Sequence, residues 1–354
     1  MKKLSIQKGV KDTKNKVRIR VTDDELNLIN NCRRLHNEAI EKGLDPDSVK
    51  HAWFKDKKSS FFVKNPNFNT RVKNNFKEQL IQDLKDYSPK FEKIKRKANK
   101  DGHLLVVDPA DIHIGKLADS FETGEDYNTQ IAVKRVREGV QGILDKSSGF
   151  DIDKILFVGG NDILHTDTPK RTTTSGTPQD TDGMWYDNFL KAKDLYIEIL
   201  EKLISVADVH FVFNPSNHDY ANGFFLANVI ETYFKNCKNI TFDCSIAHRK
   251  YFKYHSNLIG TTHGDGAKQA DLPLLMAQES AKNWSETKHR YVYIHHVHHK
   301  LGKDYAGVTL ESLRSASGTD SWHHRNGYQH APKAIEGFIH SKEFGQVARL
   351  SHIF

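Results

Sequence analysis

Very little in this chain of 354 residues lends itself to cross-linking or to life in a membrane. Its three cysteines, Cys32, Cys237 and Cys244, are odd in number and form no CxxC pair. No disulfide framework is expected, and a reducing, intracellular setting is the default. No run of about 18 apolar residues occurs, so no membrane-spanning helix and no membrane partner are expected. The opening MKKLSIQKGVKDTKNK has the charge of a signal peptide but lacks the apolar stretch that must follow it, which makes a cytoplasmic location the expectation. No internal repeat and no segment of low complexity is visible.

What the chain does have is an ordinary soluble balance, 37% hydrophobic and 28% charged, enough to fill a core. The length suits one large domain, or a medium domain with a smaller companion. Histidine is plentiful, at 20 residues, several of them clustered. The net charge of +8 is uneven, because residues 1–100 hold 26 Lys and Arg against 13 Asp and Glu while the remainder is mildly acidic. A basic region attracts polyanions by releasing their counterions, so nucleic acid, DNA first, is the expected partner. Lys-rich helices also serve simply to keep a surface solvated.

Two regions follow from this texture, a basic and mainly helical one over 1–100 and a second over 101–354. In the first, Leu26, Ile29, Cys32, Leu35 and Ile40 predict an amphipathic helix from Asp23 to Lys42. Beyond it Trp53, Phe54, Phe61 and Phe62 are interleaved with Lys50, Lys55, Lys57, Lys58 and Lys64. Rings beside cations can stack bases and grip phosphates, which makes Trp53, Lys55, Lys57 and Lys58 candidate nucleic-acid contacts. The competing reading places Trp53 and Phe62 in the core of a small helical domain. Phe76 to Lys100 reads as a charged helix or linker.

From His103 onward short apolar runs alternate with helical patterns. LLVV (104–107), KILFVGG (154–160), DVHFVFN (208–214), NLIGTTHG and RYVYIHH read as strands. Helices are predicted at about Thr129–Asp145, Asn188–Ile204 and Gly223–Phe234. This alternation predicts an α/β fold whose functional loops lie beyond the carboxyl ends of strands. Five polar clusters fall there: Asp111-Ile-His113, Asn161-Asp162, Ser216-Asn217-His218-Asp219, His263-Gly264-Asp265, and His295-His296-Val297-His298-His299. On a strand, side chains at i and i+2 point the same way, so Asp111 and His113 could grip one ion, as could His296 and His298. Each cluster alone is weak, since an NHD is more often a turn. Five in succession point to a metal centre. Mixed oxygen and imidazole donors suit Mn²⁺, the first expectation, or Fe or Zn²⁺, and a carboxylate shared by two ions would suit phosphate ester hydrolysis.

The order DxH, GD, NHD, H and HxH resembles the calcineurin-like metallophosphoesterase superfamily over residues 104 to about 300. GGNDILH is most similar to the branch of DNA double-strand-break repair exonucleases. The resemblance implies a four-layer α/β/β/α fold and two divalent metal ions. Carried over position by position, Asp111, His113, Asp162 and His298 would hold one ion. Asp162 as bridge, Asn217, His263 and His296 would hold the other. His218 would contact the scissile phosphate and assist departure of the leaving group. Asn161 is inserted before the Asp of the GD motif, and Ser216 and His295 replace glycines. Only 56 residues follow His298, so the coiled-coil ATPase partner of the repair nucleases is not expected.

The loop 165–185 is long and poor in apolar residues, and His165, Lys170 and Arg171 are candidate substrate contacts in it. A mobile surface loop is the alternative. The segment 317–334, rich in His and aromatics, is expected to be a hydrogen-bonded surface hairpin, with His323, His324 and Arg325 as possible groove residues. Three functions fit: a metal-dependent nuclease, a phosphodiesterase or phosphatase for a small nucleotide or other phosphoester, and a nucleic-acid-binding protein with a structural metal site. The first is the leading expectation.

Overall fold

The computed structural model describes residues 2–5, 18–55, 60–65, 89–97 and 99–354, and the chain divides into two compact units, Met1–Tyr87 and Ser88–Phe354.

In the first unit the predicted helix is α1, Asp23–Glu41. Thr22 caps it, accepting from the Glu25 backbone N–H while the Glu25 carboxylate reaches back to the Thr22 N–H. Where the expectation is of a mainly helical region, the remaining described residues of this unit are largely two strand pairs. β1 (Lys2–Ser5) pairs antiparallel with β2 (Arg18–Val21), and β3 (His51–Lys55) pairs antiparallel with β4 (Ser60–Lys64). The hairpin buries Phe54 and Val63 against Leu35 of α1. Alternation along β3 therefore turns Trp53 outward, where it is 65% exposed and 5.3 Å from the exposed ring of Phe62. Neither ring is a core residue of a helical domain. Lys55 is exposed on β3, and Lys57 and Lys58 lie outside the described residues.

In the second unit residues 89–97 are neither helix nor free linker. Phe91 stacks on Phe234, Asn239 holds both backbone groups of Ile94, and Arg96 pairs with Asp208. The remainder of the Phe76–Lys100 prediction, Phe76 to Ser88 and Ala98, lies outside the described residues.

The second unit is mixed α/β. Its strands are β5 (His103–Asp108), β6 (Ile152–Gly160), β7 (Asp208–Asn214), β8 (Ile240–Asp243), β9 (Lys250–Tyr254), β10 (Asn257–Thr262), β11 (His289–Ile294), β12 (Leu301–Tyr305), β13 (Val308–Ser312), β14 (Ala334–Ser341) and β15 (Gly345–Ile353). A six-stranded sheet has the order β15-β14-β5-β6-β7-β8, with β5 to β8 parallel. A five-stranded sheet has the order β12-β13-β11-β10-β9, with β13, β11 and β10 parallel. The helices are α2 (Ser120–Thr123), α3 (Thr129–Ser147), α4 (Trp185–Val206), α5 (Tyr220–Tyr233), α6 (Leu272–Glu279), α7 (Ala281–Ser285) and α8 (Ser321–Arg325). Among the described residues no helix is long and apolar enough to cross a membrane.

Continuous apolar runs such as LLVV suit strands buried on both faces. Leu105, Val107, Ile155, Phe157, Val209 and Phe211 pack with the apolar stripes of α3, α4 and α5. Their neighbours Leu104, Val106, Leu156 and Val158 turn the other way and meet Ile259 and Tyr293 of the five-stranded sheet and Leu313 just past β13. The outer face of that sheet, through Leu258, Val292, Ile294 and Leu310, is covered by Leu272 and Met276 of α6. Arg349 of β15 joins the sheets, pairing with Glu336 of β14 at 2.6 Å and with Glu311 of β13.

Candidate metal centre

All five clusters lie just past carboxyl ends of strands, and backbone hydrogen bonds bring them together. Asp111 and His113 follow β5, and Asp162 follows β6. The two loops run side by side: the N–H of Asp111 donates to Asn161 O at 2.9 Å, His113 to Asp162 O at 2.9 Å, and Ile114 to Ile163 O at 2.7 Å. Asn217 and His218 follow β7, His263 follows β10, and His296 and His298 follow β11. His295 N–H donates to His263 O at 2.9 Å, and His296 N–H to Asp111 Oδ2 at 3.2 Å.

Strand alternation is not what aims these side chains. Asp111, His113, Asn161, Asp162, His296 and His298 all have φ between 48° and 70°, a left-handed conformation uncommon for residues with a Cβ. They are six of the eight such non-glycine residues among the described ones. Backbone strain concentrated at one place is typical of a functional site, where packing over-determines an unfavourable conformation. Ile112 and Ile114 are buried in the core between and beside the polar positions, which anchors the turn. Gly160 (φ 86°) precedes the second turn, where a Cβ would lie 2.3 Å from the carbonyl oxygen of Asn214.

Two groups of donor atoms result. Those of Asp111, His113 and His298 lie within 4.8 Å of one another, and so do those of Asp162, His263 and His296. Asn217 Oδ1 is 2.8 Å from His263 Nε2, which places it with the second group. Asp162 Oδ2 lies 3.3 Å from His263 Nε2 and 3.9 Å from His113 Nε2, between the two groups. Asp162 and the N–H of His218 are joined through Oδ1 at 2.9 Å. The seven sequence-predicted ligand residues thus converge.

The donor set fits a cation. Asp111 Oδ1 and His263 Nδ1 are buried, have no hydrogen-bond partner among the described residues and are 4.0 Å apart, a costly arrangement unless something else satisfies them. Burial disfavours a charged His263, but Asp162 and Asp111 outweigh it and raise the group to about 9. Burial, with Lys116 and the neighbouring imidazoles adding to it, holds His113 well below the usual range. Burial likewise lowers His298 to about 4, against the pull of Asp111. His113 and His298, held neutral in this way, are poised as metal ligands.

His218 is oriented rather than loose. Its Nδ1 is 3.0 Å from the carbonyl oxygen of His165, which only accepts, so Nδ1 carries the proton and Nε2 is left for other work. Its ring lies 4.6 Å from that of His113 and stacks on His165 at 5.3 Å. His165 is buried, with Nδ1 3.3 Å from His113 Nδ1, and it joins His113 and His218 in a third group of close donor atoms.

The loop 165–185 is pinned, contrary to the mobile-loop reading. Asp167 accepts from the N–H groups of Ala221 and Asn222 at the start of α5 and from Thr174 Oγ1. Asp182 N–H donates to Gly115 O, and Leu117 N–H to Asp180 O. Lys170 and Arg171 are both exposed on this loop, and neither makes an ion pair with a described carboxylate. The segment 317–334 contains the short helix α8 rather than a strand hairpin, because Asp320 caps it by accepting from His323 N–H at 2.9 Å.

Three supports of the site come from substitutions at motif glycines or from a residue outside every predicted ligand set. Ser216 Oγ accepts from Asp162 N–H at 2.8 Å and donates to the buried Asp219 at 2.6 Å; burial and the Asp162 charge raise Asp219 to about 7. His295 is buried between Asp108 of β5 (2.9 Å) and the Thr262 carbonyl of β10 (3.0 Å), so it ties the two sheets together beneath the ligands. Lys116 is buried with Nζ 3.0 Å from Asp320 Oδ2 and 3.1 Å from Ser317 Oγ. Only its place after Asp111-Ile-His113-Ile-Gly115 could have singled it out.

No family model matches the sequence, and no curated protein matches it. Among solved structures, a novel archaeal phosphodiesterase aligns with a TM-score of 0.32 and 8% identity, over 71% of this chain and 99% of its own. Vacuolar protein sorting 29 from Cryptosporidium parvum aligns with a TM-score of 0.33 and 12% identity, over 72% and 99%. A conserved protein from Streptococcus pneumoniae, a predicted phosphoesterase, aligns with a TM-score of 0.26 and 14% identity, over 73% and 99%. Likenesses at this level establish neither a shared fold nor a shared function.

Proposed function

We propose that this chain is a metal-dependent phosphodiester hydrolase of the calcineurin-like, four-layer type, and that its substrate is a polynucleotide, DNA first. The observation that carries the reading is the place of Asp162, whose Oδ2 lies between His263 Nε2 and His113 Nε2 at 3.3 and 3.9 Å. That carboxylate is where two cation sites would share a ligand. Asp111, His113 and His298 would complete one site; Asn217, His263 and His296 would complete the other. Divalent ions held there, with Mn²⁺ the first expectation, would withdraw charge from a phosphoester and supply a nucleophile at neutral pH.

The chain's own groups set the remaining requirements. Left-handed backbone at five of the seven ligand positions fixes those ligand directions before any ion arrives, which limits reorganisation on binding. His218 has its Nδ1–H committed to the His165 carbonyl, so Nε2 is the atom at which a proton can be held for the departing oxygen. Lys170 and Arg171 offer cations that no described carboxylate pairs. The excess of Lys and Arg in residues 1–100, with Trp53 and Lys55 exposed on β3, supports a polyanion as substrate. The mild acidity of residues 101–354 favours the second reading, a phosphodiesterase or phosphatase for a small nucleotide.

The test is a substrate panel with purified protein in Mn²⁺: single- and double-stranded DNA, RNA, cyclic dinucleotides and an aryl phosphodiester. Cleavage of polynucleotides well above the small substrates is expected. Hydrolysis confined to small esters would replace the nuclease reading, and no hydrolysis of any would overturn both.

A further inference from the structure

We propose that α8 is a nucleobase-stacking platform beside the candidate metal centre, so that the substrate is a phosphodiester carrying an unpaired base. This deepens the phosphodiesterase reading and rests on it. The platform is a continuous file of rings. His323 lies parallel to the candidate ligand His298, with centroids 4.8 Å apart and planes 14° apart. Trp322 packs edge-on against His323 at 5.1 Å, and Tyr328 lies 5.9 Å from Trp322. The outer two rings are open to solvent, Trp322 at 60% and Tyr328 at 59%. Exposed rings in contact with one another, unlike single exposed ones, form a contiguous patch of the kind that marks a contact surface.

The inner ring of the file is held in place. Asp320 accepts from both the N–H of His323 and its Nδ1, at 2.9 and 2.7 Å, and from the buried ammonium of Lys116 at 3.0 Å. Lys116 and His323 also reinforce the anionic form of Asp320 and hold its carboxyl well below the usual range against the cost of burial. A platform held in place loses little freedom when a ligand settles on it. Its charge is right for a nucleotide, since Arg325 is exposed and makes no ion pair with a described carboxylate, and His324 stands beside it. Stacking needs only the π-face that every base has, while the phosphate would lie toward His298, two ring steps inward. A paired base inside a duplex has no free face to offer, which is why the site fits a flexible strand or a nucleotide.

The test compares a labelled single-stranded oligonucleotide with the same backbone lacking bases, by fluorescence anisotropy on the full chain without added metal so that the probe stays intact. Wild-type protein is expected to bind the base-bearing strand about 5- to 100-fold more tightly. Trp322→Ala should cut that ratio at least about 5-fold, while Trp322→Phe, which keeps a ring, should retain most of it. Circular dichroism and metal uptake of both variants check the fold. Trp53→Ala, measured in parallel, separates any stacking on β3. Competition by a dinucleotide at similar concentration assigns the platform to small nucleotides, and resistance to it assigns the platform to polynucleotides; either outcome supports stacking. A wild-type ratio near one, no binding at all, or a full ratio in Trp322→Ala overturns the proposal. Hydrolysis of the same strands and of an aryl phosphodiester in Mn²⁺ is read separately, so the absence of both sinks the phosphodiesterase reading while the ratio still decides the platform.

Discussion

Asp162→Asn is the sharpest perturbation of the centre, because it removes one charge from two donor groups at once and changes almost no volume. At about 4 Å, two unit charges interact by roughly 4 kcal/mol at an effective dielectric near 20, and a divalent ion doubles that to about 8. Freeing the buried carboxylate from its desolvation cost returns several kcal/mol. A net loss of about 3–5 kcal/mol per ion remains, or about 10²- to 10⁴-fold in affinity at each position. Calorimetric titration with Mn²⁺, and elemental analysis after dialysis, should show both ions weakened together. Asp111→Asn should weaken mainly one, since its donors belong to the group with His113 and His298. In the metal-free variant His263 loses the largest electrostatic support for its charge, so its titration by NMR should move down from about 9. Two tightly held ions in Asp162→Asn, or the loss of only one, would refute the shared-carboxylate reasoning.

His218→Ala should keep its metals while turnover falls about 10²- to 10⁴-fold, as expected for a positioned proton carrier; loss of metal along with activity would make His218 a ligand. Trp53→Ala with Lys55→Glu should weaken polynucleotide binding and flatten its salt dependence, by about 0.9 log units per log unit of salt for each duplex phosphate no longer neutralised; an unchanged slope would make β3 merely a solvated surface. His340 is buried, with Nε2 2.9 Å from the Tyr293 hydroxyl, and is held down to about 3 by burial. The unfolded chain therefore binds the extra proton first as pH falls. His340 contributes stability above about pH 6.5 that is lost toward pH 3, by up to about 1.4 kcal/mol per unit. Denaturant melts of His340→Gln should show a shallower decline over that window, and an identical decline would refute it.

The predicted elements of the second unit were legible because their signals are local. Runs such as LLVV and KILFVGG carry the apolar density of strands buried on both faces, and the spacing along α3 carries a stripe. Legibility failed where partners are distant in the chain. Trp53 and Phe54 are adjacent and equally apolar, and only the pairing of β3 with β4 decides that Phe54 is covered and Trp53 is open. The segment 317–334 reads as a hairpin because its turn residues are visible, whereas the anchor of α8 is Lys116, about 200 residues earlier.

By itself the sequence determined which side chains could meet a cation: Asp, His and Asn at strand ends, in an order that resembles a known family. Donor chemistry and strand ends are properties of short segments, so they survive reading in one dimension. The tertiary structure decided how those side chains converge. Pairing of the loops after β5 and β6, and of the turns after β10 and β11, holds six residues in left-handed backbone, which Asp, Asn and His tolerate better than other side chains but which local preference alone would seldom select. It also decided what His295 does, since the Asp108 and Thr262 groups that hold it belong to different sheets. An unfavourable φ persists only where many long-range contacts over-determine it, and those contacts exist only once the sheets have packed.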